Sequence, residues 1–156
     1  MRLYIGSDHA GYQLKNMIKD FIVEDDVLDF EVVDLGAFNE DSIDYPDIAR
    51  EVAEKVYENE DALGILVCGS GTGMCMAANK HIGIRAAACT NIEVAKYARA
   101  HNNANVLCLG QRILTDQSIV REIISTFLME KFEGGRHARR VEKMDSISQD
   151  SITKHS

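Results

Sequence analysis

The sequence predicts a doubly wound, three-layer α/β domain with five parallel strands and an extra helix at the C-terminus. Three observations carry this. Short β-prone runs alternate along the chain with segments of helical apolar spacing. One run, ALGILVC at residues 62–68, is continuously apolar, as a central parallel strand covered on both faces requires. Glycine-rich loops, GSDHAG at 6–11 and GSGTG at 69–73, follow the first and third of these runs, where such folds bind ligands.

Leu3-Tyr4-Ile5 is the first strand and Gly6 stops it. Leu14, Met17, Ile18, Phe21 and Ile22 space a helix over Tyr12 to Ile22. EVVDL (31–35) is the second strand, followed by a long polar loop from Gly36 to Tyr45. Pro46, the sole proline, suits the first turn of a helix whose stripe is Ile48, Val52, Ala53 and Val56. After the 62–68 strand, Gly73 to His81 is a short helix, Ile84 to Cys89 the fourth strand and Ile92 to Ala100 a helix. Val106 to Leu109 is the fifth strand, and Asp116 caps a helix that reaches about Met129. Gly134-Gly135 breaks the chain before a basic helix from Arg136 to Lys143. A single domain over 1–145 results, with a flexible polar tail over 146–156.

The bulk numbers exclude several classes. A net charge of −8 argues against binding nucleic acid or an anionic membrane. No signal peptide or bilayer-spanning run is visible, so a cytoplasmic protein is expected. The four cysteines, Cys68, Cys75, Cys89 and Cys108, show no CxxC spacing and no metal-ligand pattern, so no metal site is expected. The last three read as buried thiols of a reducing compartment.

VCGSGTGM (67–74) is neither a Walker loop nor a GxGxxG turn, because Met74 and Met76 stand where the third glycine would fall. Alternating glycines at a strand-to-helix turn still let backbone N–H groups converge on a phosphate or on an oxyanion that appears only in a transition state. Cys68 ends the strand at this nest, where a helix N-terminus favours a thiolate. The alternative is a small buried hydrophobe. Asp8 is a helix cap or a catalytic acid. His101, in ARAHNNAN, is a dipole partner at a helix end or a site residue. Arg136 and Arg140 share one helical face and could fork a phosphate.

Together these stretches resemble the sugar-phosphate isomerase family that contains the type B ribose-5-phosphate isomerases and the galactose-6-phosphate isomerase subunits. The matching segments are GSDHAG (6–11), DYPD (44–47), VCGSGTGM and AANK (67–74 and 77–80), GIRAA (83–87), RAHNNANVL (99–107), GQR (110–112) and EGGRHARRV (133–141). The resemblance implies a Rossmann-like α/β/α sandwich. It implies a homodimer, with a homotetramer as a further step, and a reversible conversion of D-ribose 5-phosphate to D-ribulose 5-phosphate without metal or cofactor. That reaction belongs to the non-oxidative pentose phosphate pathway.

Carried over position by position, the resemblance makes Cys68 the proton-transferring base. Ser70 and the amides of Gly69, Gly71 and Gly73 stabilise the enediolate. Asp8 and His101 assist ring opening, with Asn102 nearby, and Tyr45 lines the sugar site. His9, Arg112, Arg136 and Arg140 are candidates for the phosphate. Ser70 stands where many members carry threonine. Met74 stands where another branch carries a glutamate base, which leaves Cys68 as the base here. Two readings stay open beside this one: an isomerase of an allose- or galactose-type hexose 6-phosphate, and a non-catalytic sugar-phosphate sensor. A thiol-redox role lacks a resolving cysteine at CxxC spacing. Topology adds one expectation. Cys68 ends its strand whereas His101 precedes the fifth, so the two belong to opposite edges of a parallel sheet. A shared reaction then needs His101 from a neighbouring subunit and an active site at the dimer interface.

Overall fold

A computed structural model describes residues 1–154, the side chains at 148, 149, 151 and 153 aside. Five parallel strands run in the order β2-β1-β3-β5-β4: β1 (Arg2–Ser7), β2 (Glu31–Asp34), β3 (Leu63–Cys68), β4 (Ala86–Ala88) and β5 (Val106–Gly110). Period-two alternation divides each inner strand between two cores. Leu3, Ile5, Ile65, Val67, Leu107 and Leu109 face α1 (Tyr12–Glu24), α4 (Ile92–Ala100) and α5 (Gln117–Met129). Tyr4, Leu66, Cys68, Val106 and Cys108 face α2 (Tyr45–Glu58) and α3 (Thr72–Ala78). β3 is buried along its whole length, as its unbroken apolar run requires. The doubly wound sandwich expected from the sequence is therefore present, and α6 (Arg136–Thr153) is the extra C-terminal helix.

Several boundaries differ from expectation: β1 extends over Arg2–Ser7, α3 ends at Ala78 rather than His81, and β4 and α6 also depart. β4 spans Ala86–Ala88, shorter than the anticipated Ile84 to Cys89. At its start side-chain amides replace ladder partners: Asn105 Oδ1 accepts from Arg85 N–H at 2.8 Å, and Asn79 Oδ1 accepts from Ala86 N–H at 2.8 Å. α6 continues past Lys143 to Thr153, so the backbone from Ser146 onward is helical as far as it is described. The last two positions of the anticipated 146–156 tail, 155 and 156, lie outside the described residues.

A buried lysine fixes the loop after β2. Lys15 on α1 is fully buried, and its ammonium donates to Asp34 Oδ1 at 2.9 Å and Oδ2 at 3.1 Å, and to the carbonyl of Ala37. Lys19 adds a third contact to Asp34 at 2.7 Å. Burial raises the Asp34 carboxyl, but the hydrogen bonds from Lys19, Lys15 and Gly36 N–H outweigh it and hold the group below its ordinary value. The loop so anchored reaches the ligand end of the sheet, where Ile43 N–H donates to His9.

Candidate active site

The carboxyl ends of β1 and β3 lie side by side, with Ser7 in register with Val67. The loops beyond them touch backbone to backbone. Asp8 N–H donates to Val67 O at 3.2 Å, and a Cβ on Gly11 would stand 2.5 Å from that same oxygen. Asp8 is buried, and its Oδ1 accepts from Gly11 N–H at 3.0 Å, capping a 3-10 turn over His9–Gly11. The capping reading of Asp8 is thus met, and its second oxygen is left for other work.

Cys68 is 5% exposed, and its sulfur accepts from Gly71 N–H at 3.1 Å. A left-handed backbone at Gly71 (φ 81°) makes that contact possible, a conformation that suits glycine. This amide, expected to face an enediolate, donates to the sulfur instead. In the first turn of α3, Thr72 N–H is engaged within the loop and the Gly73 amide remains as a donor. Ser70 is exposed, and its Oγ accepts from Thr72 N–H at 3.3 Å, so its own hydrogen is free to donate outward.

A cavity of about 260 Å³ opens over these atoms, lined by Asp8, His9, Tyr45, Cys68, Ser70 and Arg112 with Gly69 and Gly73. Both glycines admit neighbouring side chains. The Arg112 guanidinium packs over Gly69 at 3.2–3.4 Å from where a Cβ would lie, and the Tyr45 ring packs over Gly73 at 2.9–3.3 Å. His9 Nδ1 accepts from Ile43 N–H at 3.2 Å, which places the proton of the neutral ring on Nε2. The cavity thus holds a thiol, a carboxylate, a hydroxyl and two groups able to meet a phosphate.

His101, Asn102, Arg136 and Arg140 are not part of it. Cys68 pairs with Gly110 at the far end of β5, whereas His101 precedes Val106 at the near end. The strand alone separates those ends by about 13 Å. His101 is the C-cap of α4, and its ring lies between Tyr97 (centroids 4.7 Å apart) and His137 (4.2 Å, 9° between planes). Glu133 Oε2 is 3.6 Å from Nε2 of both histidines. Among the described residues this is the one His/Cys/Asp/Glu group whose ligand atoms gather, all within 4.8 Å of each other. Near-parallel imidazoles cannot both aim an in-plane lone pair at one ion, so these residues do not fit a metal without splaying the rings. Arg136 and Arg140 are exposed on the first turns of α6. Sequence reasoning missed Lys15, Glu133 and His137. The signals were a lysine three positions before Ile18 on an apolar stripe, and an acid and a histidine four apart across Gly134-Gly135.

The other thiols behave as packing residues with one exception. Burial pushes Cys89 up to about 12, and the contact with Cys75, followed by burial, pushes Cys108 well above the ordinary range. Cys75 is half-buried, and hydrogen bonding with Cys108 lowers it to about 7. A small alkylating agent near pH 8 should therefore label Cys75 well before Cys89 or Cys108, as peptide mass spectrometry would read. Equal labelling of the three would contradict this.

Comparison with known proteins follows the same geometry. The ribose/galactose isomerase family model matches residues 3–144. The chain belongs to that family. A probable ribose-5-phosphate isomerase B of Mycoplasma genitalium is 47% identical over 144 residues, covering 91% of this chain and 92% of the relative. The solved structure of ribose-5-phosphate isomerase B from Clostridium thermocellum superposes with a TM-score of 0.90 at 45% identity, covering 97% of this chain and 99% of that one. The Mycoplasma genitalium isomerase crystallised with ribulose-5-phosphate superposes with a TM-score of 0.87 at 45% identity, over 95% of this chain and 96% of that one. The solved relatives share this doubly wound sheet, and open α/β sheets as a rule bind ligands beyond the carboxyl ends of their strands.

Proposed function

We propose that this chain is an aldose–ketose isomerase that interconverts D-ribose 5-phosphate and D-ribulose 5-phosphate through a cis-enediolate. The observation that carries the reading is the buried Cys68 sulfur, held by Gly71 N–H in a cavity that also presents Ser70, Asp8, His9 and Arg112. A family relative crystallised with ribulose-5-phosphate supports the substrate.

In the reaction Cys68, as thiolate, takes the proton from carbon 2 of the open aldose. The electron pair moves to O1, and the enediolate charge meets the Ser70 hydroxyl and the Gly73 amide. Such donors are typically worth about 3–4 kcal/mol each. A proton passes from the 2-hydroxyl to O1, and as the C2 carbonyl forms Cys68 returns its proton to carbon 1, giving the ketose and regenerating the thiolate. Tyr45 packs against the sugar. His9 and Arg112 hold the phosphate, whose binding energy fixes the reacting carbons.

Ring opening must come first, and in this reading it falls to Asp8 and to His101 of a second copy. Asn102, Arg136 and Arg140 lie with His101 on the surface that copy presents. A homodimer with a shared site follows, and dimers can pair further. α6 offers Met144 and Ile147 as exposed apolar residues for such packing. Four free cysteines suit a reducing cytoplasm, and among the described residues no helix is long and apolar enough to cross a membrane.

The first test is turnover of D-ribose 5-phosphate with chelator present, beside allose and galactose 6-phosphates. Turnover of a hexose phosphate alone would overturn the pentose assignment, and binding without any turnover would make the chain a sensor. A second test isolates His101. Ribose 5-phosphate is a closed furanose, whereas ribulose 5-phosphate cannot close a five-membered ring because its 5-oxygen carries the phosphate. His101→Ala should lower kcat at saturating ribose 5-phosphate by about a hundredfold, because the furanose then occupies the site unopened, and should spare kcat for ribulose 5-phosphate. The ratio of kcat/KM values stays tied to the reaction equilibrium. Equal losses of kcat in both directions would remove His101 from ring opening.

A further inference from the structure

We infer that Glu133 is a positioning residue for ring opening, holding the His101 imidazole in place and stabilising the positive charge it gains when it takes a proton from the sugar. The inference rests on the ring-opening role given to His101 above.

His101 is boxed on three sides by residues of its own chain. Tyr97 lies one helical turn back on α4 with its ring 4.7 Å away, and His137 stacks on His101 at 4.2 Å. The Glu133 carboxylate closes the edge, 3.6 Å from Nε2. Its backbone is tied to the same helix end, because Glu133 N–H donates to Ala100 O at 3.0 Å. Gly134 and Gly135, both at positive φ (67° and 56°), then turn the chain into α6, and no Cβ at either would meet a neighbour within 4 Å. The pair is therefore explained by the turn rather than by packing. The turn brings His137 back over His101, with His137 N–H donating to Gly134 O at 3.1 Å. One short loop thus places both the carboxylate and the second ring.

The chemistry needs such a partner. To open the furanose, the neutral imidazole takes the proton of the anomeric hydroxyl. The C1 carbonyl forms as the bond from C1 to the ring oxygen breaks, and that oxygen receives the proton back. Between those moments His101 is an imidazolium, and a carboxylate at its edge stabilises it. His137 is the poorer carrier of the charge: burial, then the neighbouring His101 and Arg136, hold it below the ordinary histidine value against the opposing pull of Glu133. Glu133 is itself exposed.

The test compares kcat at saturating ribose 5-phosphate with kcat at saturating ribulose 5-phosphate on the same preparation of Glu133→Gln. Any loss of folded protein cancels in that ratio. The expected result is a fall of about tenfold for the aldose, a share of the 10²–10⁴-fold typical of an acid–base group, with the ketose rate unchanged. Glu133→Asp should recover part of the loss. An equal fall for both sugars, or no fall for either, overturns the inference. His101→Ala run alongside separates the two failures. If it shows the aldose-specific loss and Glu133→Gln does not, Glu133 alone is wrong; if it shows none, the ring-opening role falls and the inference with it.

Discussion

Replacing Cys68 with alanine should lower turnover by about 10²–10⁴-fold, the range that proton transfer by a positioned group contributes, while leaving sugar-phosphate binding in place. The sulfur ends β3, faces the cavity floor and takes the Gly71 N–H, and among the cavity residues it alone can carry a soft, weakly solvated base. His9 is held by Ile43 N–H and Arg112 packs over Gly69, neither through the thiol, so the phosphate site should survive. The mutation also leaves a buried amide unmatched, which costs roughly 1–3 kcal/mol of stability. Calorimetric titration with ribose 5-phosphate separates the two effects. Retained binding with collapsed turnover assigns the base. Undiminished turnover would move it to another group of the cavity, such as Asp8.

Asp34→Ala should be the most damaging single change to the fold, costing about 3–5 kcal/mol in chemical denaturation, because it strands the fully buried ammonium of Lys15. The pH dependence of the wild type carries the same signature. Asp34 sits below its unfolded value, so its stabilisation is fully present above about pH 4 and is lost as pH falls through the folded value. Pairing Asp34→Ala with Lys15→Met should recover most of the loss, since an apolar side chain of similar length needs no partner there. A double variant as unstable as Asp34→Ala would show that the carboxylate works through Lys19 or the Gly36 amide instead.

Much of this molecule could be read before its coordinates. The helix expected over Ile92 to Ala100 has those bounds, and Asn91 just before it accepts from Val94 N–H at 2.8 Å. Asp116 accepts from Ser118 and Ile119 N–H as its place before an apolar period required. These features are local, and local chemistry is written in neighbouring residues. The features that escaped depend on residues far apart in the chain. β4 is cut short by amide side chains of Asn79 and Asn105, contributed by other segments. Lys15 lies in the apolar stripe of α1 and is explained only by Asp34. The polar composition after Ser146 suggested an ending, yet Val141, Met144 and Ile147 keep a helical spacing that lets α6 go on. In the site, the loops after β1 and β3 were legible from their glycines, while the Glu133–His101–His137 cage needed the turn at Gly134-Gly135 to bring its parts together.

The separation of Cys68 and His101 along β5 has a genetic consequence. In the shared-site arrangement, a chain lacking only its thiol and a chain lacking only its imidazole are each nearly silent on the closed sugar. Mixed and allowed to exchange subunits, they form heterodimers in which one site is intact and the other doubly broken. Random pairing makes about half of all dimers mixed, so about a quarter of wild-type activity should return. The two lesions would behave as complementing alleles within one gene.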